Sequence, residues 1–153
     1  MDHAGKAQNL FREGYNCAQA VAGAFSEELG MDPALAMRLV AGFGGGMGRL
    51  REVCGAVSGV VFVLSMKYGY SGPKDQQAKT ELYRKVQAAG EAFAAENGSM
   101  ICRELLQGQG GRGGDPSPRG ESYYKKRPCV ELVGCAAQIA ERMLAAAPEQ
   151  QNS

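Results

Sequence analysis

Apolar side chains recur along this chain mostly at the three- and four-residue spacing of an amphipathic helix. Seven segments carry this spacing or other helix signals: 4–13, 17–29, 33–40, 54–68, 75–96, 99–106 and 129–147. Runs that contain Gly, Asn, Asp or Pro separate them, as expected at helix ends and turns. The pattern predicts an all-α fold, a compact bundle of five to six helices around a central one.

The segment 54–68 differs from the others because apolar residues cover nearly every side of it. Such a helix is typical of an element surrounded by protein, so we expect it to be the buried centre of the bundle. Its stretch Val60–Leu64 is rich in β-branched residues and could form a strand. No other segment offers a convincing partner strand, and the helix is therefore the preferred interpretation.

Five glycines fall within the seven positions 42–48, directly before this central helix. Such a run loses too much backbone entropy in a helix or strand, so we expect a loop of unusual freedom. It lacks the glycine spacing of a dinucleotide site and the Gly-Lys-Ser/Thr of a phosphate loop. Gly55 and Gly59 share one helix face and would let another backbone approach Cys54 closely. For that spacing alone, an inert packing groove is the plainer interpretation.

Four of the five cysteines coincide with predicted helix starts. The four are Cys17, Cys54, Cys102 and Cys129. The start signals beside them are Asn16, the end of the glycine run, Ser99 and Pro128. Unpaired N–H groups and the helix dipole stabilise a thiolate at such a position, which predicts a lowered thiol pKa and either a nucleophile or a metal ligand. Cys135 lies in mid-helix and is interpreted as a small buried apolar residue.

The length of 153 residues suits one domain, which we place at 1–147. Within it, the Gly- and Pro-rich segment 107–120 is expected to be a flexible surface loop. Its two arginines, Arg112 and Arg119, could hold a partner's carboxylate, although a solvated linker is preferred. The tail 148–153 is expected to be disordered.

The net charge of +1 comes from 17 basic and 16 acidic residues and gives no electrostatic reason to expect nucleic-acid binding. No apolar run is long enough to cross a membrane, and the start does not resemble a signal peptide. We therefore expect a cytoplasmic protein, in which thiols stay reduced and structural disulfides are rare. The single histidine, His3, lies near the terminus and is interpreted as inert.

The cysteine spacing favours no familiar local motif. There is no C-x-x-C pair, so zinc ribbons, thioredoxin-like sites and ferredoxin-type runs are not supported. A site could still be assembled from four separate helices at one end of the bundle. The alternative is that these are ordinary buried core cysteines.

Several blocks of the sequence resemble the C_GCAxxG_C_C family, prokaryotic proteins named for separated cysteines and a glycine box and described as redox-active. The blocks are GYNCAQAV at 14–21, GFGGGMG at 42–48, VCGAVSG at 53–59, GSMICRELL at 98–106 and the lysine-rich approach to Cys129. The resemblance covers nearly the whole chain. It implies that Cys17, Cys54, Cys102 and Cys129 are the family's four cysteines, and it offers no counterpart for Cys135. The segment 107–120 is richer in glycine than is usual there.

Three functions remain open. The first is a cytoplasmic thiol–disulfide redox protein, a thiol–disulfide oxidoreductase if it is an enzyme, in which Cys54 attacks and Cys17, Cys102 or Cys129 resolves, with a partner protein or a small thiol as reactant. The second is an iron–sulfur cluster or metal ion held by the same four thiolates. The third is a helical interaction module with packing cysteines. A homodimer is the general expectation for a compact domain.

Overall fold

The computed structural model describes residues 2–116, 119–120 and 128–145. Its helices are α1 (His3–Arg12), α2 (Cys17–Ala24), α3 (Pro33–Leu39), α4 (Gly44–Met47), α5 (Gly55–Tyr68), α6 (Gln76–Asn97), α7 (Cys102–Leu105) and α8 (Cys129–Ala145), with a 3₁₀ turn at Ala41–Phe43. The described residues contain no strand, only an isolated antiparallel bridge between Val53 and Ile101. The all-α prediction is confirmed for this part of the chain. The eight helical segments exceed the predicted five to six, and two of them, α4 and α7, have only four residues.

The predicted helix starts are confirmed where a side chain accepts a hydrogen bond from a backbone N–H of the first turn. Asn16 accepts from the N–H of Gln19 at 2.9 Å, and the Gln19 side chain accepts in return from the N–H of Asn16, so α2 begins with a capping box. Asp75 accepts from the N–H of Ala78 in the same way and starts α6. At the far end of α6, Gly98 adopts the left-handed conformation that terminates helices.

Residues 55–68 form a helix, so the strand alternative for Val60–Leu64 is wrong. α5 packs against α2, α6 and α8. A Cβ atom added to Gly59 would lie 3.1 Å from the carbonyl oxygen of Ala18, and one added to Gly55 would lie 3.3 Å from the Ala18 nitrogen. The two glycines therefore let the backbone of α2 approach α5, as their spacing predicted.

The ends and faces of α2 and α3 correct the predicted pattern. α2 stops at Ala24 rather than near position 29, and the Ser26 hydroxyl bonds back to the Gly23 carbonyl at 2.9 Å, which offers the chain an alternative to the helix ladder. In α3, Leu35 and Leu39 stand at the helical spacing that predicts a buried stripe, but they are 47% and 54% exposed. Ala36 and Met37 are the buried residues of α3 instead, and the Met37 side chain lies beside Gly23 of α2.

His3 is not inert. It is 7% exposed and its ring stacks on Phe25 with centroids 4.2 Å apart. Its Nε2 contacts the carboxylate of Glu28, and its Nδ1 lies 2.5 Å from Oε1 of Glu141 in α8. Hydrogen bonds from the His3 side chain and backbone lower the pKa of Glu141. The contacts of His3 could not be predicted from its terminal position, because both carboxylates are distant from it along the chain.

The segment 107–120 is described at 107–116 and 119–120. Carbonyl oxygens of Gly110, Gly111 and Gly113 accept hydrogen bonds from arginine side chains after the glycine loop. Arg119 bonds the Phe11 carbonyl at 3.0 Å and lies over its ring at 4.4 Å. The described portion is thus bonded to the body of the protein, whereas the solvated linker was preferred.

The predicted tail 148–153, the last helical positions near 147 and the lysine-rich approach to Cys129 lie outside the described residues. Among the residues that are described, no helix has both the length and the apolar character needed to cross a membrane.

Candidate functional site: a cavity lined by four cysteines

The glycine run forms a left-handed turn. Five consecutive residues, from Gly45 to Arg49, have positive φ values of 67°, 69°, 74°, 55° and 70°. Most side chains avoid this region, and the run uses glycine at three of the five positions. Gly46 has a further constraint, because an added Cβ would lie 2.6 Å from the Cβ of Cys102. The predicted loop therefore has a defined and strained backbone conformation, and Gly46 packs directly against Cys102.

The isolated bridge joins two distant parts of the chain beside this turn. The N–H of Cys54 donates to the Met100 carbonyl at 2.8 Å, and the N–H of Cys102 donates to the Glu52 carbonyl at 2.5 Å. These two bonds place the start of α5 next to the start of α7. The pairing brings together Cys54 and Cys102, which are 48 positions apart.

Cys17 and Cys129 meet through the packing of α8. The first turn of α8 contacts α1, where Gln8 donates to the Val130 carbonyl at 3.2 Å, and α8 also packs against α2. Both thiols line the same cavity, and the side chain of Cys129 has the largest effect on the pKa of Cys17, which it raises. Two helix starts that are more than 100 positions apart are thus neighbours in the fold.

All four predicted site cysteines line one cavity of about 280 Å³. Cys17, Cys102 and Cys129 are the first residues of α2, α7 and α8, and Cys54 is the N-cap of α5. The predicted coincidence of cysteines with helix starts is confirmed. Cys17 is the most accessible of the four, whereas the other three are buried.

The prediction of lowered thiol pKa values is wrong for two of the four. Burial raises the pKa of Cys54 to about 12, and the N–H groups of Ala56 and Val57 offset this only in part. The hydrogen bond with Cys129, followed by burial, raises the pKa of Cys17 well above its usual value. The helix start acts in the expected direction at Cys54, but removal of water from the thiolate outweighs it. Both thiols are protonated at neutral pH.

Arg51 is a buried arginine within the same cavity, with 4% of its surface exposed. Its Nε donates to the Gly111 carbonyl at 2.8 Å, and its Nη1 lies 3.7 Å from Sγ of Cys102. Its Nη2 is the single buried side-chain nitrogen or oxygen without a hydrogen-bond partner among the described residues. The residue also has a left-handed backbone, with φ of 61°.

Two further arginines line the cavity, Arg49 and Arg119. Arg49 donates from Nε to the Gly113 carbonyl at 2.7 Å and from Nη2 to the Gly110 carbonyl at 2.5 Å. In the described part of the chain, no Asp or Glu side chain lines this cavity. The side chains around the four thiols therefore carry only positive charge, and that charge includes the Arg119 guanidinium, which lowers the pKa of Cys17 slightly against the larger opposing effects.

Within the described ranges, no three His, Cys, Asp or Glu side chains are placed to hold a metal ion. Cys135 lies outside the cavity lining, and its interpretation as a buried apolar residue is wrong. It is partly exposed, donates to Oε2 of Glu96 at 2.8 Å and accepts from Asn97 at 3.4 Å.

Sequence reasoning named Arg119 as able to hold a carboxylate but missed Arg49 and Arg51. Arg49 and Arg51 follow the glycine run, yet a charged residue at such a position is most often solvated. The placement of both arginines, of which only Arg51 is buried, depends on carbonyl groups some 60 positions away. The nearest available signal was the unusual abundance of glycine in 107–120, since that segment supplies those carbonyls in left-handed turns.

Comparison with protein families identifies one family that matches most of this chain. Residues 15–143 match the model of a family described as "Putative redox-active protein (C_GCAxxG_C_C)". No curated protein and no solved structure gives a significant match. The matched region contains all four cysteines of the cavity, the glycine turn and Arg51. The chain therefore belongs to the C_GCAxxG_C_C family.

Proposed function

We propose that this protein is a thiol–disulfide redox protein in which Cys17 and Cys129 are the reacting pair. The observation that carries the proposal is that the two thiols are neighbours in one cavity, close enough for Cys129 to raise the pKa of Cys17. Neighbouring thiols are the arrangement from which a disulfide forms with little movement of the backbone. Cys17 is the attacking thiol, because it is more accessible than the buried Cys129.

The reaction balances as a two-electron exchange. The Cys17 thiol loses its proton and attacks one sulfur of an incoming disulfide, whose S–S bond breaks and releases one thiolate. Cys129 then loses its proton and attacks Cys17 in the mixed disulfide, and the second thiolate leaves. The two protons end on the two released thiols. The protein is left with a Cys17–Cys129 disulfide, and the incoming disulfide has been reduced.

The attacking role expected for Cys54 is replaced in this proposal. Cys54 is buried and its pKa is raised to about 12, whereas Cys17, whose pKa is also raised, is partly exposed and open to an incoming disulfide. Cys54 and Cys102 instead line the buried part of the cavity and help to exclude water from the reacting pair. The reduced thiols that the proposal requires are consistent with a cytoplasmic location, which cell fractionation would test.

Thiol counting and mass measurement test the pair. Reduced protein is treated with excess glutathione disulfide and its remaining free thiols are titrated. We expect wild type and the control Cys135→Ser each to lose two thiols without a lasting adduct. Cys17→Ser should not react, and Cys129→Ser should remain a mixed disulfide with one glutathione. Loss of two thiols in Cys17→Ser would refute the assignment.

A second candidate is an iron–sulfur cluster bound by the four cysteines. It is favoured by one observation, that four thiols surround a cavity far larger than a single ion requires. Anaerobic purification followed by visible absorption and iron and sulfide analysis separates the two functions. Our proposal predicts a colourless, iron-free protein that retains thiol–disulfide exchange. A brown protein that loses its colour in each of the four Cys→Ser variants, but not in Cys135→Ser, would establish the cluster.

A further inference from the structure

Arg51 has a hydrogen-bonding capacity that the protein itself does not use. Its Nε and Nη1 have partners in Gly111 and Cys102, but Nη2 has none among the described residues and is shielded from solvent. A buried donor without a partner is costly, and the cost is larger for a charged group. Since native structures rarely leave such a donor unsatisfied, this one needs an explanation.

The surrounding contacts hold this guanidinium in place. The N–H of Arg51 donates to the Gly45 carbonyl at 3.1 Å, and its carbonyl accepts from the N–H of Arg103 at 3.2 Å. The left-handed φ of 61° is a conformation that a non-glycine residue adopts at a cost. The backbone and Nε together fix the side chain with its unpaired donor inside the cavity.

The charge and size of the cavity define the ligand. Three arginines and no Asp or Glu line it in the described part of the chain, so an anion would neutralise positive charge that includes the buried guanidinium of Arg51. A guanidinium presents a planar fork of donors that matches a carboxylate. A volume of about 280 Å³ is close to the lower end of ligand cavities, which suits a small molecule better than a loop of a partner protein.

We propose that the cavity binds low-molecular-weight disulfides that carry a carboxylate, with Arg51 as the carboxylate-binding residue. This inference rests on the proposed function and adds its substrate class. The carboxylate accepts from Arg51, and the S–S bond of the same molecule lies against the cysteines. The exchange then follows the balance above, so that each disulfide yields two carboxylate-bearing thiols and the protein gains one disulfide.

Three model disulfides of similar size test the proposal. Dithiodipropionate carries two carboxylates, dithiodipropionamide is its neutral counterpart, and cystamine carries two ammonium groups. Stopped-flow oxidation of the reduced protein should be at least about tenfold faster with dithiodipropionate than with dithiodipropionamide, and slowest with cystamine. Equal rates for the three disulfides in wild type would overturn the proposal without any mutant.

Variants test whether Arg51 causes the preference for disulfides that carry a carboxylate. In Arg51→Met the ratio between dithiodipropionate and dithiodipropionamide should fall to about one, and in Arg51→Lys it should be intermediate because the charge remains but the fork is lost. The control Arg38→Met removes an exposed arginine of α3 and should keep the wild-type ratio. A preference that survives in Arg51→Met would contradict the assignment.

Suberate separates this inference from the redox function, because it has the shape of dithiodipropionate but no sulfur. Calorimetric titration should detect suberate binding to wild type and to Arg38→Met, with at least about tenfold weaker binding to Arg51→Met. Suberate binding without oxidation by any disulfide would support the anion site and refute the redox function. No suberate binding, with equal oxidation by all disulfides, would refute the anion site and leave the redox function standing.

Discussion

The geometry of the site depends on individual residues at which neither a larger side chain nor a different backbone conformation fits. Gly46 combines a φ of 69° with contacts that an added Cβ would make at 2.6 Å to Cys102, 2.7 Å to the Glu52 nitrogen and 2.8 Å to the Arg51 Cα. Two of these neighbours are backbone atoms, which cannot rotate away. One glycine therefore fixes the distance between the left-handed turn and the bridge that positions Cys54 and Cys102.

Gly46→Ala should be much more destabilising than Gly48→Ala. Gly48 has a similar φ of 55°, but an added Cβ would meet only the Gly42 carbonyl, at 4.0 Å. Both variants have the cost of a left-handed alanine, about 1–2 kcal/mol, and Gly46→Ala adds overpacking of about 1–3 kcal/mol. Urea unfolding measures both. Equal losses of stability would show that the close packing at Gly46 is not a constraint.

The contact between His3 and Glu141 predicts an acid-sensitive component of stability. Since hydrogen bonds lower the pKa of Glu141 in the folded state, the unfolded chain takes up the proton first as pH falls. Stability should therefore decline from about pH 4.5 downwards, through the folded-state pKa. In Glu141→Gln this decline should be smaller, whereas Glu91→Gln, an exposed control on α6, should behave as wild type. Identical acid profiles for Glu141→Gln and wild type would contradict the prediction.

Residue chemistry was predictable from sequence only where the signal is local. The cap at Asn16 and the helix-start positions of four cysteines follow from neighbouring residues, and the structure confirms them. The raised pKa values and the burial of Arg51 depend on desolvation by segments distant in the chain. A local pattern contains no information about that desolvation.

At the scale of elements, the contact between α2 and α5 sets the geometry of the cavity wall. Gly59 lies where an added Cβ would be 2.7 Å from the Cβ of Val21 and 3.1 Å from the Ala18 oxygen. These atoms belong to a buried helix face and have little room to move. The small residue lets α2 carry Cys17 close to the start of α5.

Gly59→Ala should destabilise the protein although alanine is the better helix former. The gain in helix propensity is about 1 kcal/mol, and the overlap with α2 costs about 1–3 kcal/mol. Gly90→Ala in α6 is the matched control, because the added Cβ meets the flexible side chain of Met100 at 3.2 Å. Thermal unfolding should show a lower Tm for Gly59→Ala and an equal or higher Tm for Gly90→Ala. A raised Tm for Gly59→Ala would contradict the close approach of α2.

Helix periodicity predicted the elements better than their buried faces. It identified α5 and α6 with nearly their observed ends, because strong apolar patterns and caps agree there. It failed for α3, where Leu35 and Leu39 are exposed. The face that this seven-residue helix buries is set by the tertiary contacts of Ala36 and Met37, and its sequence alone does not determine it.

At the scale of the whole molecule, folding assembles a site that no segment contains. Cys54 and Cys102 are brought together by the backbone β-bridge between Val53 and Ile101. Cys17 and Cys129 are brought together by the packing of the first turn of α8. The sequence predicted four helix-start thiols, and the family resemblance implied that they belong to one set. The positively charged lining around them could not be predicted, because it depends on carbonyls of a glycine-rich segment.

Burial of the site predicts that the reduced protein loses stability in alkali. Because the pKa of Cys54 is raised to about 12 in the folded state, the unfolded chain releases that proton first, from about pH 9. The loss grows as pH rises towards 12 and reaches about 4 kcal/mol for this residue. Urea unfolding with a reductant present, at several pH values, should show a smaller loss in Cys54→Ala. Parallel pH profiles of stability for wild type and Cys54→Ala would contradict this prediction.

The central claim is that Cys17 and Cys129 form the redox pair of a cavity built from distant helix starts. Reduced protein oxidised with one equivalent of disulfide, blocked with iodoacetamide, digested and analysed by mass spectrometry tests it most directly. The account predicts a cross-linked peptide pair that joins Cys17 to Cys129, with Cys54, Cys102 and Cys135 carrying the alkyl label. Alkylated Cys17 and Cys129 in a protein whose other cysteines are cross-linked would contradict it.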